Sequence, residues 1–201
     1  YFETQKLQGV PFLAAIGGGP AKAMNVRARI GFEPPEDWRA PIDARCQKRR
    51  KDAVQGDQPR PAVALLVGLR DVFVGRELDP SSGEWSLTHP TRAIAARIAN
   101  GALELVALTE TERRVDKGDG VSDDVAGSFG VKVRFEETVL ASKALPTRDV
   151  LDVRIKLSGR TVSASAGGVK VQARLDAPVE GMAGLWVSGP GFVALGPVEV
   201  R

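Results

Sequence analysis

The sequence predicts an all-β domain made of two packed antiparallel sheets, and three observations carry that expectation. Valine is abundant at 24 residues, and 22 glycines and 13 prolines punctuate the chain at short intervals. Branched residues between frequent breakers make short strands and turns rather than long helices. Several segments alternate apolar and polar residues strictly, which is the signature of a half-buried strand. The 201 residues, 43% of them hydrophobic, suffice for one sizeable core and are few for two. Residues 1–201 therefore read as a single β-sandwich domain.

The elements follow in chain order. Residues 2–7 and 24–32 read as strands, with Gly17-Gly18-Gly19-Pro20-Ala21-Lys22 as a loop between them, because it lacks both a phosphate-loop spacing and a following helix pattern. Residues 34–61 are polar and proline-studded and read as a long loop. The run 62–68 is continuously apolar and short enough for a buried strand. Residues 72–78 and 84–88 flank the turn cluster Asp79-Pro80-Ser81-Ser82-Gly83. Asn100-Gly101 is a strong hairpin dipeptide, and it favours strand over helix for the alanine-rich stretch 91–99 before it. Residues 109–130, rich in charge and glycine, read as a second long loop.

The second half alternates more cleanly. In 131–136 and 151–157 the apolar residues fall on odd positions. This places Val133, Phe135, Val153 and Ile155 inside and Lys132, Arg134, Arg154 and Lys156 outside, on a solvated or ligand-facing surface. Ser158-Gly159 and Gly167-Gly168 turn the chain into an antiparallel meander that ends near Leu175. Residues 182–188 and 192–200 are two more strands, the last expected beside the first near residues 2–7.

Composition excludes several classes of function. One cysteine and one histidine exclude a disulfide framework, a multi-cysteine zinc site and a His-rich metal site. No uncharged apolar run approaches the roughly 20 residues of a bilayer-spanning helix. The net charge of +3 is too small to make nucleic acid the default partner. Residues 1–100 carry 15 Lys/Arg against 11 Asp/Glu, and the excess centres on Arg45, Lys48, Arg49, Arg50 and Lys51 around Cys46. Basic neighbours lower a thiol's pKa, but no histidine lies near in sequence to serve as its base.

The run 149–201 resembles the closing strands of the concanavalin-like jelly-roll superfamily. The resemblance lies in the glycine-turned meander through Val169-Lys170-Val171, in Asp176, in Gly181-Met182-Ala183-Gly184-Leu185-Trp186 as a strand entry, and in the final strand. The stretches 64–71 and 76–83 are similar to that superfamily's central hairpins. Gly167-Gly168, where asparagine is commoner, and the long 34–61 insertion depart from its pattern. The resemblance implies a two-sheet jelly roll. Its members include laminin-G-like modules, legume-type lectins, glycoside hydrolases and 3-keto-disaccharide hydrolase-like domains, so a site must be argued on its own residues.

The laminarinase-like hydrolases of the superfamily carry an E-x-D-x-x-E strand, and this chain has none. Glu136 and Glu137 are adjacent and point apart on a regular strand, whereas Glu110 and Glu112 share a face. Asp116, Asp119, Asp123 and Asp124 cluster as oxygen donors for calcium, or as a solvated acidic loop, without EF-hand spacing. Sugar binding needs aromatic platforms and planar hydrogen-bonding groups. Trp85 lies just across the turn from Arg76, Glu77 and Asp79, and Trp186 alternates so as to face away from the main core. These five residues form the expected ligand surface. The expectation is a non-catalytic extracellular or periplasmic module that binds carbohydrate or a protein partner. A glycosidase or 3-keto-glycoside hydrolase or lyase on the same fold, and a structural domain of a larger assembly, are the alternatives.

Overall fold

The computed structural model describes residues 2–4, 12–32, 61–70, 76–78, 85–87, 90–116, 130–189 and 191–201. They form fourteen strands: β1 (Phe2–Thr4), β2 (Phe12–Ala21), β3 (Ala23–Gly31), β4 (Ala62–Arg70), β5 (Arg76–Leu78), β6 (Trp85–Leu87), β7 (Arg92–Ala99), β8 (Ala102–Asp116), β9 (Gly130–Ala144), β10 (Val150–Ser158), β11 (Thr161–Ala166), β12 (Val169–Arg174), β13 (Gly181–Ser188) and β14 (Gly191–Val200). One six-stranded sheet runs β1-β14-β3-β10-β11-β12 and a second runs β2-β13-β4-β7-β8-β9, while β5 and β6 form a separate hairpin. The described pairings are antiparallel, so the architecture is the expected two-sheet sandwich. Phe2 lies opposite Val193, which brings the last strand beside the first as the sequence predicts.

The core is the layer between the sheets. β10 alternates without exception, with Leu151, Val153, Ile155 and Leu157 buried and Asp152, Arg154 and Lys156 exposed. β3 does the same with Met24, Val26, Ala28 and Ile30. Their inner rows join Val63, Leu65 and Val67 of β4 and Leu103 and Leu105 of β8 in one cluster. Burying each large aliphatic side chain contributes about 1.5–3 kcal/mol.

Turn chemistry sets the register. Asn100 (φ 49°) and Gly101 (φ 70°) occupy the left-handed region in the β7–β8 turn, where a two-residue hairpin needs positive φ. Stretch 92–99 is accordingly strand. At the β13–β4 crossing the backbones approach closely: a Cβ on Gly181 would lie 2.4 Å from the Gly68 carbonyl carbon and 2.6 Å from the Leu69 oxygen.

Three expectations are corrected. Gly17-Gly18-Gly19 lies within β2, not a loop, because the backbone of β13 pairs with this segment through an irregular register. Part of the expected 109–130 loop is strand: β8 runs to Asp116 and β9 starts at Gly130, extending one long hairpin on ladder hydrogen bonds. Phe135 is half-buried against the outer face of the second sheet rather than in the main core, since it lies opposite Glu110, an outer-face position. Val153 and Ile155 are fully buried, as expected. Residues 34–60 lie outside the described residues.

Ile155→Ala is expected to cost about 2–5 kcal/mol, the range for large-to-small core changes, read as a lower denaturant midpoint at unchanged slope. Gly181→Ala is expected to cost about 1–3 kcal/mol or more, because the contacting atoms are backbone and cannot swing aside. An unchanged melting temperature in either variant would contradict this packing.

Candidate functional site

A strand buried on one side offers its other row of side chains to whatever lies outside. The second sheet carries an apolar cluster on that outer face, distinct from the core: Ala64, Leu66, Ala95, Val106, Leu108 and Trp186. Strand β4 is thus buried on both faces and reads as a continuous apolar run. Trp186 lies opposite Ala64, which lies opposite Arg97, which lies opposite Glu104. The apolar row therefore passes directly into a charged one.

Arg97 is the centre of that charged group. Its Nε donates to Glu104 Oε2 at 2.9 Å, and its Nη1 donates to Glu137 Oε2. One guanidinium on β7 thereby links β8 and β9. The Arg97 side chain is only 14% exposed, against 37% for Glu137. Burial works to lower the Arg97 pKa, but the hydrogen bonds and charges of Glu137 and Glu104 outweigh it and raise the pKa above its ordinary value. The cation is permanent, and the forked contact holds all three side chains in place. Val139 at 51% exposure and exposed Ser142 lie on the β9 side of the group, opposite Val106 and Glu104.

A fully buried carboxylate lies farther along β8. Glu110 Oε2 accepts a hydrogen bond from the Thr91 amide at 3.0 Å, and the Glu110 amide donates to the Thr91 carbonyl at 2.8 Å. Glu110 thus closes the end of the β7–β8 hairpin. A register irregularity separates it from Glu112, so the two do not continue one regular row.

The residues expected from sequence are distributed differently. Trp186 faces away from the main core, as its alternation predicts, but it is only 5% exposed and offers no open platform for stacking. Its indole N–H has no hydrogen-bond partner among the described residues. An unsatisfied buried donor costs about 1–3 kcal/mol. In the β5–β6 hairpin, Leu78 lies opposite Trp85 and Glu77 opposite Ser86, so Trp85 and Glu77 occupy positions of opposite parity. Arg76 lies opposite Leu87, while Asp79 is outside the described residues. Asp116 ends β8; Asp119, Asp123 and Asp124 are outside the described residues. The polar surface expected from Arg154, Lys156, Lys132 and Arg134 is divided, because β10 and β9 belong to different sheets.

Arg97, Glu104 and Glu137 escape sequence reasoning. Arg97 sits in a stretch of alanines, 40 residues from Glu137, and only strand pairing brings them together. The accessible signal was parity: an arginine in a buried strand needs an anion on the same face of a neighbouring strand.

No protein-family model and no curated protein matches the sequence. Among solved structures, the chain is similar in fold to the carbohydrate-binding module CBM66 from Bacillus subtilis, at 9% identity and a TM-score of 0.51, over 96% of this chain and 83% of that one. Weaker likenesses include sheep galectin-11 (10% identity, TM-score 0.43, 96% and 98% covered) and a galectin-like protein of unknown function from Bacillus subtilis (10%, 0.46, 96% and 78%).

Arg97→Leu leaves two carboxylates without their shared cation and is expected to cost about 1.5–3 kcal/mol, as for hydrogen bonds to charged groups. Arg97→Lys, which keeps charge but loses the fork, is expected to fall between wild type and Arg97→Leu in a urea melt. Equal stability of all three proteins would show the bridge to be idle.

Proposed function

We propose that this chain is a non-catalytic β-sandwich module that binds a sugar on the outer face of its second sheet, at Arg97, Glu104 and Glu137. The observation that carries this reading is the Arg97 bridge. Sugar hydroxyls demand donors and acceptors held in fixed directions beside an apolar surface, since mobile groups lose rotamer freedom on binding. Arg97 has five N–H donors, and its two bonds leave others for a ligand. Each carboxylate keeps one oxygen outside those bonds as a further acceptor. Val139 adds apolar area and Ser142 a hydroxyl on the same strand.

The fold likeness to a carbohydrate-binding module is compatible with this reading and does not by itself assign a ligand. The β5–β6 hairpin packs against β8. We keep Arg76 and Trp85, which occupy positions of the same parity in that hairpin, as candidates for the rim of the same site.

Titration of the isotopically labelled chain with a panel of neutral oligosaccharides tests the proposal. Amide shifts are expected to centre on β7, β8 and the 137–142 segment. Arg97→Lys is expected to weaken binding by about tenfold, the equivalent of one lost charge-assisted hydrogen bond. Trp85→Ala reports separately on the hairpin. No shift at millimolar sugar, or shifts confined to the other sheet, would refute the site.

A further inference from the structure

The outer face of the first sheet is a different surface. Strict alternation turns every second residue of its strands outward. On β3 these include Arg27 and Arg29, on β10 Arg154 and Lys156, and on β12 Lys170 and Arg174, all exposed. Asp152, opposite Arg29, is the one carboxylate among the described outward residues of β3, β10, β11 and β12, and the neighbouring β14 adds exposed Glu199 opposite Arg27, so cations outnumber carboxylates on these strands. The remaining outward positions supply neutral hydrogen-bonding groups, such as Asn25, Ser163, Ser165 and Gln172. This concentration stands out in a chain whose total net charge is +3.

Register makes the concentration sharper. Arg27 lies directly opposite Arg154, Arg154 opposite Ser165, and Ser165 opposite Lys170. Like charges directly opposed across a sheet are destabilising. Local partners offset part of that repulsion: Arg27 reaches Asp152 at 3.7 Å and lies opposite Glu199 of β14 on its other side, and Arg154 Nε donates to the neutral Asn25 Oδ1 at 2.6 Å. Among the described residues Arg29, Lys156, Lys170 and Arg174 make no ion pair. Arg27 and Arg154 thus lie about 5 Å apart across strands, Lys170 follows two strands beyond Arg154, and Arg29 and Lys156 lie about 7 Å along β3 and β10 from that pair. A shallow depression of about 420 Å³, lined in part by Asp152, Ser165, Gly168 and Lys170, opens at one end of this face.

The geometry points to a binding surface for a linear polysaccharide that carries carboxylate or sulfate groups. Forked guanidinium groups match planar carboxylates and sulfates, and the interleaved Ser, Asn and Gln suit sugar hydroxyls. Charge complementarity alone would admit nucleic acid, but two features oppose it. The described outward positions of β3, β10, β11 and β12 hold no aromatic side chain on which bases could stack. A broad sheet also does not enter a duplex groove, which admits a helix or a two-stranded ribbon. This inference does not rest on the Arg97 site, which lies on the opposite outer face of the sandwich.

Calorimetric titration of the whole chain with heparin, polygalacturonate and a short DNA duplex at about 50 mM salt tests it, over the range where polyanion contacts are strong. The expected result is binding of at least one polysaccharide more tightly than DNA, with affinity falling steeply as salt rises. The tighter of the two identifies sulfate or carboxylate as the preferred anion. The triple variant R27Q/R154Q/K156Q is expected to bind on the order of tenfold or more weakly, with a flatter salt dependence and an unchanged melting temperature. Lys143→Gln, on the other sheet, is expected to bind as the wild type does. Three outcomes would each overturn the inference: no binding of either polysaccharide, tighter binding of DNA, or full affinity in the triple variant. Arg97→Lys probes the other site alone, so failure of one proposal is distinguishable from failure of the other.

Discussion

The inner rows of β10 and β4 meet in the layer between the sheets, where Val153, Ile155 and Leu157 share one cluster with Val63, Leu65 and Val67, all fully buried. Because side chains alternate along a strand, sealing this layer decides the fate of every other residue. A one-residue slip of β10 would send Asp152, Arg154 and Lys156 into an apolar interior, at the cost of burying charges without partners. The cationic outer face of the first sheet is thus a direct consequence of the core. The turns that fix register, Asn100-Gly101 and Gly167-Gly168, act on the surface chemistry as much as on the fold.

The second sheet obeys the same rule with a different outcome. Its strand β4 is apolar on both faces, and its outer face holds a second cluster around Trp186 and Leu66. A charged group is tolerated at the border of that cluster only when its partners are present. Arg97 meets this condition by reaching two strands at once, to Glu104 and Glu137. The same bridging that makes the charge tolerable fixes the guanidinium against both carboxylates. The two outer faces therefore differ physically: one is an ordered charge cluster beside apolar surface, the other a broad array of solvated cations.

Likeness in fold to a carbohydrate-binding module fits a sandwich that leaves two sheet faces available, yet a sandwich hosts many activities. The chemistry depends on side chains that no fold dictates. On this chain the two outer faces carry the forked Arg97 bridge and the opposed Arg27–Arg154 pair.

Local pattern sufficed for much of the architecture. The alternation of 151–157, the Asn100-Gly101 turn and the apolar run 62–68 identified strands, a hairpin and the buried centre of a sheet, because each depends on neighbours a few residues away. Pattern failed where a partner strand overrode local preference. Gly17-Gly18-Gly19 is strand because β13 pairs with it, and β8 and β9 outrun their expected ends because each supplies the other's hydrogen bonds. Trp186 was legible as facing away from the core, but its burial came from the second cluster, which no single strand reveals. The sequence by itself determined the two-sheet sandwich and which row of each regular strand is apolar, since period two is a local property. Only the tertiary structure decided which charges meet: Arg97 with Glu104 and Glu137, and Arg27 against Arg154. Strand order and register, not distance along the chain, set the separation between side chains on different strands.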